Sequence, residues 1–308
     1  MKTQIYTKIN SLYCRYMNLK GNVPNQKWMV FQNLIEEGNY SDDFMEYIKD
    51  LKFDCFSKID GTNSKIVYFP STGECFCGGK TDNADIIHTG QKEYLDNVIE
   101  RIKPTLAELF PKESAKFAPV MNDKNQVQYY NMRIVGDKLL STEAEVTKAG
   151  PYAVNLIEAP VYIYGEFFGK KIQAAGKNYD KDGNRFSIFD ICQQGWYVPI
   201  DMFNDYASKL GLDVAPYLGQ MTIAEAENMV REGFKTKVPN VSNPDFIEEG
   251  IVARPVIPIK DTRGRRIIVK IKHEDYNKIK SAIDNVGDEE YQNFRNWYNE
   301  NRAKLENM

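Results

Sequence analysis

Five segments carry side chains that could bind a ligand or act on one. In SKIDGTNSK, Ser57 to Lys65, a lysine at position 58 ends an apolar run just before an Asp-Gly turn. A strand end would hold that amine at a fixed point, and a small turn leaves room for a ligand. Such an amine attacks only after losing its proton, which burial or neighbouring positive charge would favour. The plainer alternative is a solvated lysine. In YGEFFGKKIQ, Tyr164 to Gln173, Glu166 is the single carboxylate of an apolar strand and lies between glycines. It either faces solvent or meets a partner, because an unpaired buried charge is costly, and the glycines suggest close approach to the backbone. RFSIFDI, Arg185 to Ile191, offers Phe186 and Phe189. Such rings either fill a core or stack on a purine, a contact worth roughly 1–3 kcal/mol. EEGIVARP, Glu248 to Pro255, sets two carboxylates before Gly250 as a solvated turn or a metal site. RIIVKIK, Arg266 to Lys272, puts Lys270 and Lys272 on one strand face. That is either a solvated edge or a pair of point charges for a phosphate.

These side chains need elements to place them. Ser41 to Leu51 opens with a good N-cap and carries Phe44, Tyr47, Ile48 and Leu51 at helical spacing. Phe53 to Phe69 reads as strand, turn and strand around DGTNS. Residues 92–110 read as a helix with Tyr94, Leu95, Val98, Ile102, Leu106 and Leu109 on one face, and Pro104 as a potential kink. Residues 111–150 read as irregular. Strand patterns follow at Val161–Phe168, Phe186–Ile191, Gly250–Val256 and Ile267–Ile271. Helices are expected over Ile200–Leu210, from Thr222, and through the tail from Glu274 to Met308. Strands that do not alternate regularly with helices favour an α+β fold with antiparallel sheets.

The composition narrows the choice of partner and compartment. The chain has 308 residues and a net charge of −3, so it is not a globally basic nucleic-acid coat protein. A nucleic-acid surface would have to be local, and Arg254 to Lys280 is the basic stretch. Five cysteines, an odd and scattered set, argue against a disulfide framework and for a reducing compartment. Cys75 and Cys77 form a C-x-C pair with no second pair, so strand thiols are favoured over zinc. No apolar run has membrane-spanning length, and MKTQIYTKIN lacks a signal-peptide core. The expected setting is soluble and cytoplasmic, with no membrane partner.

The order K-x-D-G, G-E strand, aromatic strand, E-G-I-V and K-x-K resembles the covalent nucleotidyltransferase superfamily of ligases and capping enzymes. KIDGTN, GGKTDNAD, YGEFFGKKIQ, FSIFDI, EEGIVARP and VKIK together look like the RNA ligase 2 family, over a stretch from Tyr6 to Tyr276. The resemblance implies an ATP-dependent RNA ligase with an ATP-grasp-like nucleotidyltransferase domain of antiparallel sheets flanked by helices over 1–273. A short helical extension would follow over 274–308.

By the same resemblance Lys58 is the nucleophile that takes AMP from ATP. Ile59 contacts adenine through its backbone, Asp60 and Gly61 shape the turn, and Asn63 meets phosphate or substrate. Glu166 binds ribose or metal, Phe186 stacks on adenine, Glu249 serves the metal, and Lys270 and Lys272 hold the α-phosphate. ATP and Mg²⁺, with Mn²⁺ as a substitute, are the implied cofactors. The implied partner is RNA with 5′-phosphate and 3′-hydroxyl ends, with a DNA-containing duplex as a further substrate. Two cations and Mg²⁺ near Lys58 would help strip its proton. Two positions depart from the family pattern. Lys80 stands where an arginine is usual, which loses a bidentate grip, and Ser57 stands where an acid is common. The stretch after Lys272 is too short and too helical for the OB-fold barrel of DNA ligases and capping enzymes. Those two classes remain the alternative, along with a non-catalytic nucleic-acid-binding protein on a ligase scaffold.

Overall fold

The computed structural model of the chain describes residues 6, 9–12, 14–15, 23–31, 34–36, 42–80, 90–112, 120–121, 127–128, 132–135, 138–141, 160–193, 196–260 and 266–305. In chain order come β1 (Asn10–Ser11), β2 (Cys14–Arg15), a 3-10 helix over Gln26–Phe31, β3 (Ile35–Glu36) and helix α1 (Asp42–Ile48). Next are β4 (Phe53–Ser57), β5 (Thr62–Phe69), β6 (Glu74–Gly79) and α2 (Gln91–Leu109). Two short antiparallel pairs follow, β7 (Val120–Met121) with β8 (Val127–Gln128), and β9 (Met132–Val135) with β10 (Lys138–Ser141). The chain continues through β11 (Val161–Gly169), α3 (Gly176–Tyr179), β12 (Asn184–Gln193), β13 (Trp196–Tyr197) and α4 (Ile200–Leu210). It ends with β14 (Asp213–Val214), β15 (Tyr217–Met221), α5 (Ile223–Glu232), β16 (Gly250–Pro255), β17 (Val269–Lys272), α6 (His273–Val286) and α7 (Asp288–Leu305).

The elements gather into two compact units. One comprises Met1–Tyr6 with Gly61–Val214, the other Thr7–Asp60 with Ala215–Met308. In the first unit the sheet order is β13-β12-β11-β5-β6, with β14 beside β12. Alternation gives this sheet one face of Ile66, Tyr68, Val161, Ile163, Phe167, Phe186, Ile188 and Ile191, and these residues share a core with α2 and α4. Helix α2 supplies Leu95, Val98, Ile99, Ile102 and Leu106, the apolar stripe anticipated from its 3.6-residue spacing. It runs through Pro104.

The second unit holds a five-stranded sheet in the order β1-β17-β16-β4-β15, antiparallel except for the β1–β17 pair. Phe53, Cys55, Ile251, Ala253, Val269 and Ile271 point to one side and pack on Ile223, Ala226 and Val230 of α5. That helix starts at Thr222, whose hydroxyl accepts from Glu225 N–H while the Glu225 carboxylate accepts from Thr222 N–H, a reciprocal capping box. A separate cluster joins the 3-10 helix to the last two helices through Phe31, Ala282 of α6, and Tyr291, Phe294 and Tyr298 of α7.

The α+β class and antiparallel sheets are as the sequence pattern indicates. The helix expected over Ser41 to Leu51 spans only Asp42–Ile48. The expected helical tail is two helices divided at Gly287, whose φ is 103°. Within 111–150, read as irregular, the described parts form two hairpin-like pairs. Among the described residues no helix is long and apolar enough to cross a membrane.

Gly250 lies where β16 meets β17, and a Cβ there would collide with the Ile271 carbonyl oxygen. Gly250→Ala is therefore expected to cost about 2 kcal/mol or more by forcing these strands apart. Urea denaturation of the variant against the parent protein measures this.

Candidate active site

The second unit brings three of the anticipated side chains into direct contact. Lys58 follows the last residue of β4, and its N–H donates to the Gly250 carbonyl at 2.9 Å. Glu249 stands just before β16, and its carbonyl accepts from His273 N–H at 2.9 Å. Lys272 ends β17 directly opposite Gly250. Backbone pairing thus fixes the roots of all three side chains within one hydrogen-bonded sheet end.

The three charges meet through one carboxylate. Glu249 Oε2 accepts from Lys58 Nζ, and Glu249 Oε1 lies 2.7 Å from Lys272 Nζ. The side chains of Lys58, Glu249 and Lys272 are 21%, 14% and 23% exposed, so water screens these pairs less than surface ones. Burial by itself would lower the Lys272 pKa. The hydrogen bond and charge of Glu249, with Glu274 and Asp275 behind them, outweigh it and hold that pKa above the usual lysine value. An acidic group thus stands between the two lysines.

Glu248 and Glu249 take different roles. Glu248 is 1% exposed and accepts from Thr236 Oγ1 at 2.7 Å, so it belongs to the packing beneath the turn. Lys270 shares the sheet face of Lys272, since Val269 and Ile271 point into the core. Ile59 is buried. Asp60, Glu248, Glu249, Lys272, His273 and Glu274 help to line a cleft of about 280 Å³. Glu274, 3.5 Å from Lys272 Nζ, is the member that sequence reasoning missed. Its only signal was a carboxylate two residues beyond the K-x-K strand, at a helix start.

The first unit holds the other expected residues. Asn63 on β5 is directly opposite Glu166 on β11, and both lie on the face away from the α2 core. Gly61 is half-buried, and the space beside its Cα is filled by the Phe167 carbonyl and the Glu166 side chain. Lys80 is exposed just past β6, and the TDNAD stretch after it lies outside the described residues. Phe186 does not join this face. It is 3% exposed, belongs to the core shared with α2, and its ring takes the space beside Gly165. The glycine before Glu166 thus accommodates the protein's own ring rather than a ligand, and adenine stacking by Phe186 does not fit this placement. The strand register slips between Tyr164 and Gly165, which sets Phe189 and Asp190 on the Glu166 side. Phe189 is half-buried there, 5.2 Å from the Tyr6 ring, and the Tyr6 hydroxyl donates to Asp190 at 2.5 Å. Cys75 and Cys77 pack beside α2, where burial pushes their thiols up to about 12 and about 11. Within the basic stretch, the Arg254 guanidinium sits 4.2 Å over the Phe56 ring, and residues 261–265 lie outside the described set.

The RNA ligase family model matches residues 55–272, from β4 to the end of β17. The chain belongs to the RNA ligase family. No curated protein matches it in sequence. Among solved structures it is similar to Naegleria gruberi RNA ligase. A mutant of that protein with AMP and Mn aligns at 13% identity and a TM-score of 0.45, over 89% of this chain and 62% of that one. Another mutant with ATP and Mn gives 13% and 0.46, over 90% and 64%. A third structure, with PPi, gives 12% and 0.45, over 91% and 63%. This chain therefore spans less than two thirds of the length of those proteins.

Glu249→Gln should remove the main cause of the raised Lys272 pKa, so that value falls. The sign for stability follows from linkage. A raised folded pKa stabilises fully below the unfolded value, here 10.5, and that contribution disappears as pH climbs through the folded pKa. The parent protein should thus lose stability above about pH 10.5 more steeply than Glu249→Gln, as read from urea midpoints between neutral and strongly alkaline pH.

Proposed function

We propose that the chain is an ATP-dependent RNA ligase that works through a covalent lysyl-AMP intermediate. The observation that carries this reading is the ion-paired cluster of Lys58, Glu249 and Lys272 in a chain of the RNA ligase family. Lys58 gives its proton to solvent and its nitrogen attacks the α-phosphorus of ATP. A nitrogen–phosphorus bond forms, the bond from that phosphorus to the bridging oxygen breaks, and pyrophosphate leaves with the electron pair. An oxygen of an RNA 5′-phosphate then takes the AMP, and the lysine regains its amine proton. A 3′-hydroxyl finally attacks the 5′-phosphorus, loses its proton and displaces AMP.

Lys272 and Lys270 lie on the sheet face that ends at this cluster, and they supply fixed positive charge to the equatorial oxygens of the transferring phosphoryl group. The rigid strand ends provide the in-line positioning. The oxygen-rich cleft beside Lys272, with Asp60, Glu249 and Glu274, suits a hard divalent cation that keeps several waters and needs one or two carboxylates. Glu249 would hold Mg²⁺ or Mn²⁺, whose charge would offset that of the phosphates. In the first unit, Asn63 and Lys80 are assigned to phosphate or substrate and Glu166 to ribose, with Phe189 replacing Phe186 as the aromatic candidate for the base. Partner RNA carries 5′-phosphate and 3′-hydroxyl ends, and a DNA-containing duplex is a second substrate of the same chemistry. RNA repair or end joining is the role this chemistry would serve, and the odd, scattered cysteines favour a reducing, cytoplasmic setting.

Incubation with α-labelled ATP and Mg²⁺ should yield an AMP adduct that survives denaturation and maps to Lys58. Lys58→Ala should lose the adduct while keeping the parent's fold. Lys270→Ala or Lys272→Ala should slow adduct formation about 10²-fold. A parent protein that forms no adduct, or forms it on another residue, rejects the reading. A GMP adduct from labelled GTP, or preference for a DNA 3′ end in parallel sealing assays, would move it to the capping or DNA ligase classes.

A further inference from the structure

Lys272 has a second carboxylate beside it. Its Nζ is 2.7 Å from Glu249 Oε1 and 3.5 Å from Glu274 Oε1. The other oxygen of Glu274 is 3.3 Å from Lys278 Nζ, one helical turn along α6. Five alternating charges therefore run from the outer face of α6 to the strand end: Lys278, Glu274, Lys272, Glu249 and Lys58. Glu249 sits in the middle of the reactive part with both oxygens occupied. Lys272 has to leave Glu249 to meet a phosphate. An ammonium group leaves one anion most easily when another already flanks its path.

We propose that Glu274 is a positioning residue for the nucleotide-attack step: it is a second seat that keeps the Lys272 amine in the cleft once it has left Glu249, within reach of the phosphate. This rests on the lysyl-AMP reading above. The geometry supports it in three ways. Glu274 is fixed on the first turn of α6, which starts directly after β17, so its distance from Lys272 is set by the strand–helix junction. It lines the same cleft as Glu249, Lys272 and Asp60. Its two oxygens are divided, one toward Lys272 and one toward Lys278, so Lys278 does not fill the side that serves Lys272.

A purely structural role is the competing account. An acidic residue in the first turn of a helix stabilises it through the helix dipole, and an i,i+4 pair with lysine adds a little more. That role would change melting temperature and the fraction of active protein, not the maximal rate of the protein that is active.

Single-turnover formation of the Lys58–AMP adduct, across ATP concentrations with Mg²⁺ present, separates the two. For Glu274→Gln the maximal rate should fall about tenfold with little change in the half-saturating ATP concentration. Glu274→Asp should recover most of the loss. Lys278→Ala breaks the surface pair but leaves the seat, and should not reproduce the fall. A Glu274→Gln variant with the parent's maximal rate overturns the proposal, as does a fall that Lys278→Ala matches. A parent protein that forms no adduct rejects the functional reading and this inference with it. An adduct formed at equal rates by parent and Glu274→Gln rejects the inference alone.

Discussion

Glu249 sits between two ammonium groups, and the second unit is arranged around keeping it there. An isolated half-buried carboxylate would be costly. Lys58 and Lys272 relieve that cost from opposite oxygens. The partners are 191 and 23 residues away in the chain, so only the sheet can bring them together. It does so through backbone bonds, from Lys58 N–H to the Gly250 carbonyl and from His273 N–H to the Glu249 carbonyl. Removing one charge would leave the others facing each other or nothing. The order β17-β16-β4 is the arrangement that sets the ends of three strands at one point.

The two sheet faces divide the labour. In the second unit the inward face carries Phe53, Cys55, Ile251, Ala253, Val269 and Ile271 and packs on α5. The outward face then has Lys270 and Lys272 by strict alternation. The packing that holds β17 flat is thus also what aims its lysines. Gly250 has the matching constraint, because β16 approaches β17 too closely for a side chain at that residue. The first unit repeats the scheme with α2 on one face and Asn63 and Glu166 on the other.

Much of this was legible from residue types and spacing. The strand–turn–strand at KIDGTN, the α2 stripe, the Thr222 cap and the pairing of Lys270 with Lys272 on one face follow from local rules. The misreadings have identifiable causes. Phe186 was assigned to the base by the motif resemblance, and that it pairs with Phe167 on the α2 side of the sheet becomes visible only when β11 and β12 are paired. Gly165 suggested a nearby ligand, but a core ring occupies that space. The carboxylate between the lysines was invisible as such, because contact between residues 58, 249 and 272 is a property of sheet order. Glu274 was hidden for the same reason, since a first-turn acid is commonplace in helices.

The bridge at Glu249 also bears on how the protein behaves before any nucleotide arrives. Two bare lysines side by side would act as a trap for whatever small anion is abundant, and inorganic phosphate would be a standing inhibitor. A resident carboxylate already satisfies both amines, so a newcomer has to displace it. A single small anion has less to offer in that exchange than a polyphosphate that brings a divalent cation to compensate Glu249. On the proposed lysyl-AMP chemistry, the same side chain that ties the strand ends together would also act as a filter that favours a cation-loaded triphosphate over simpler anions.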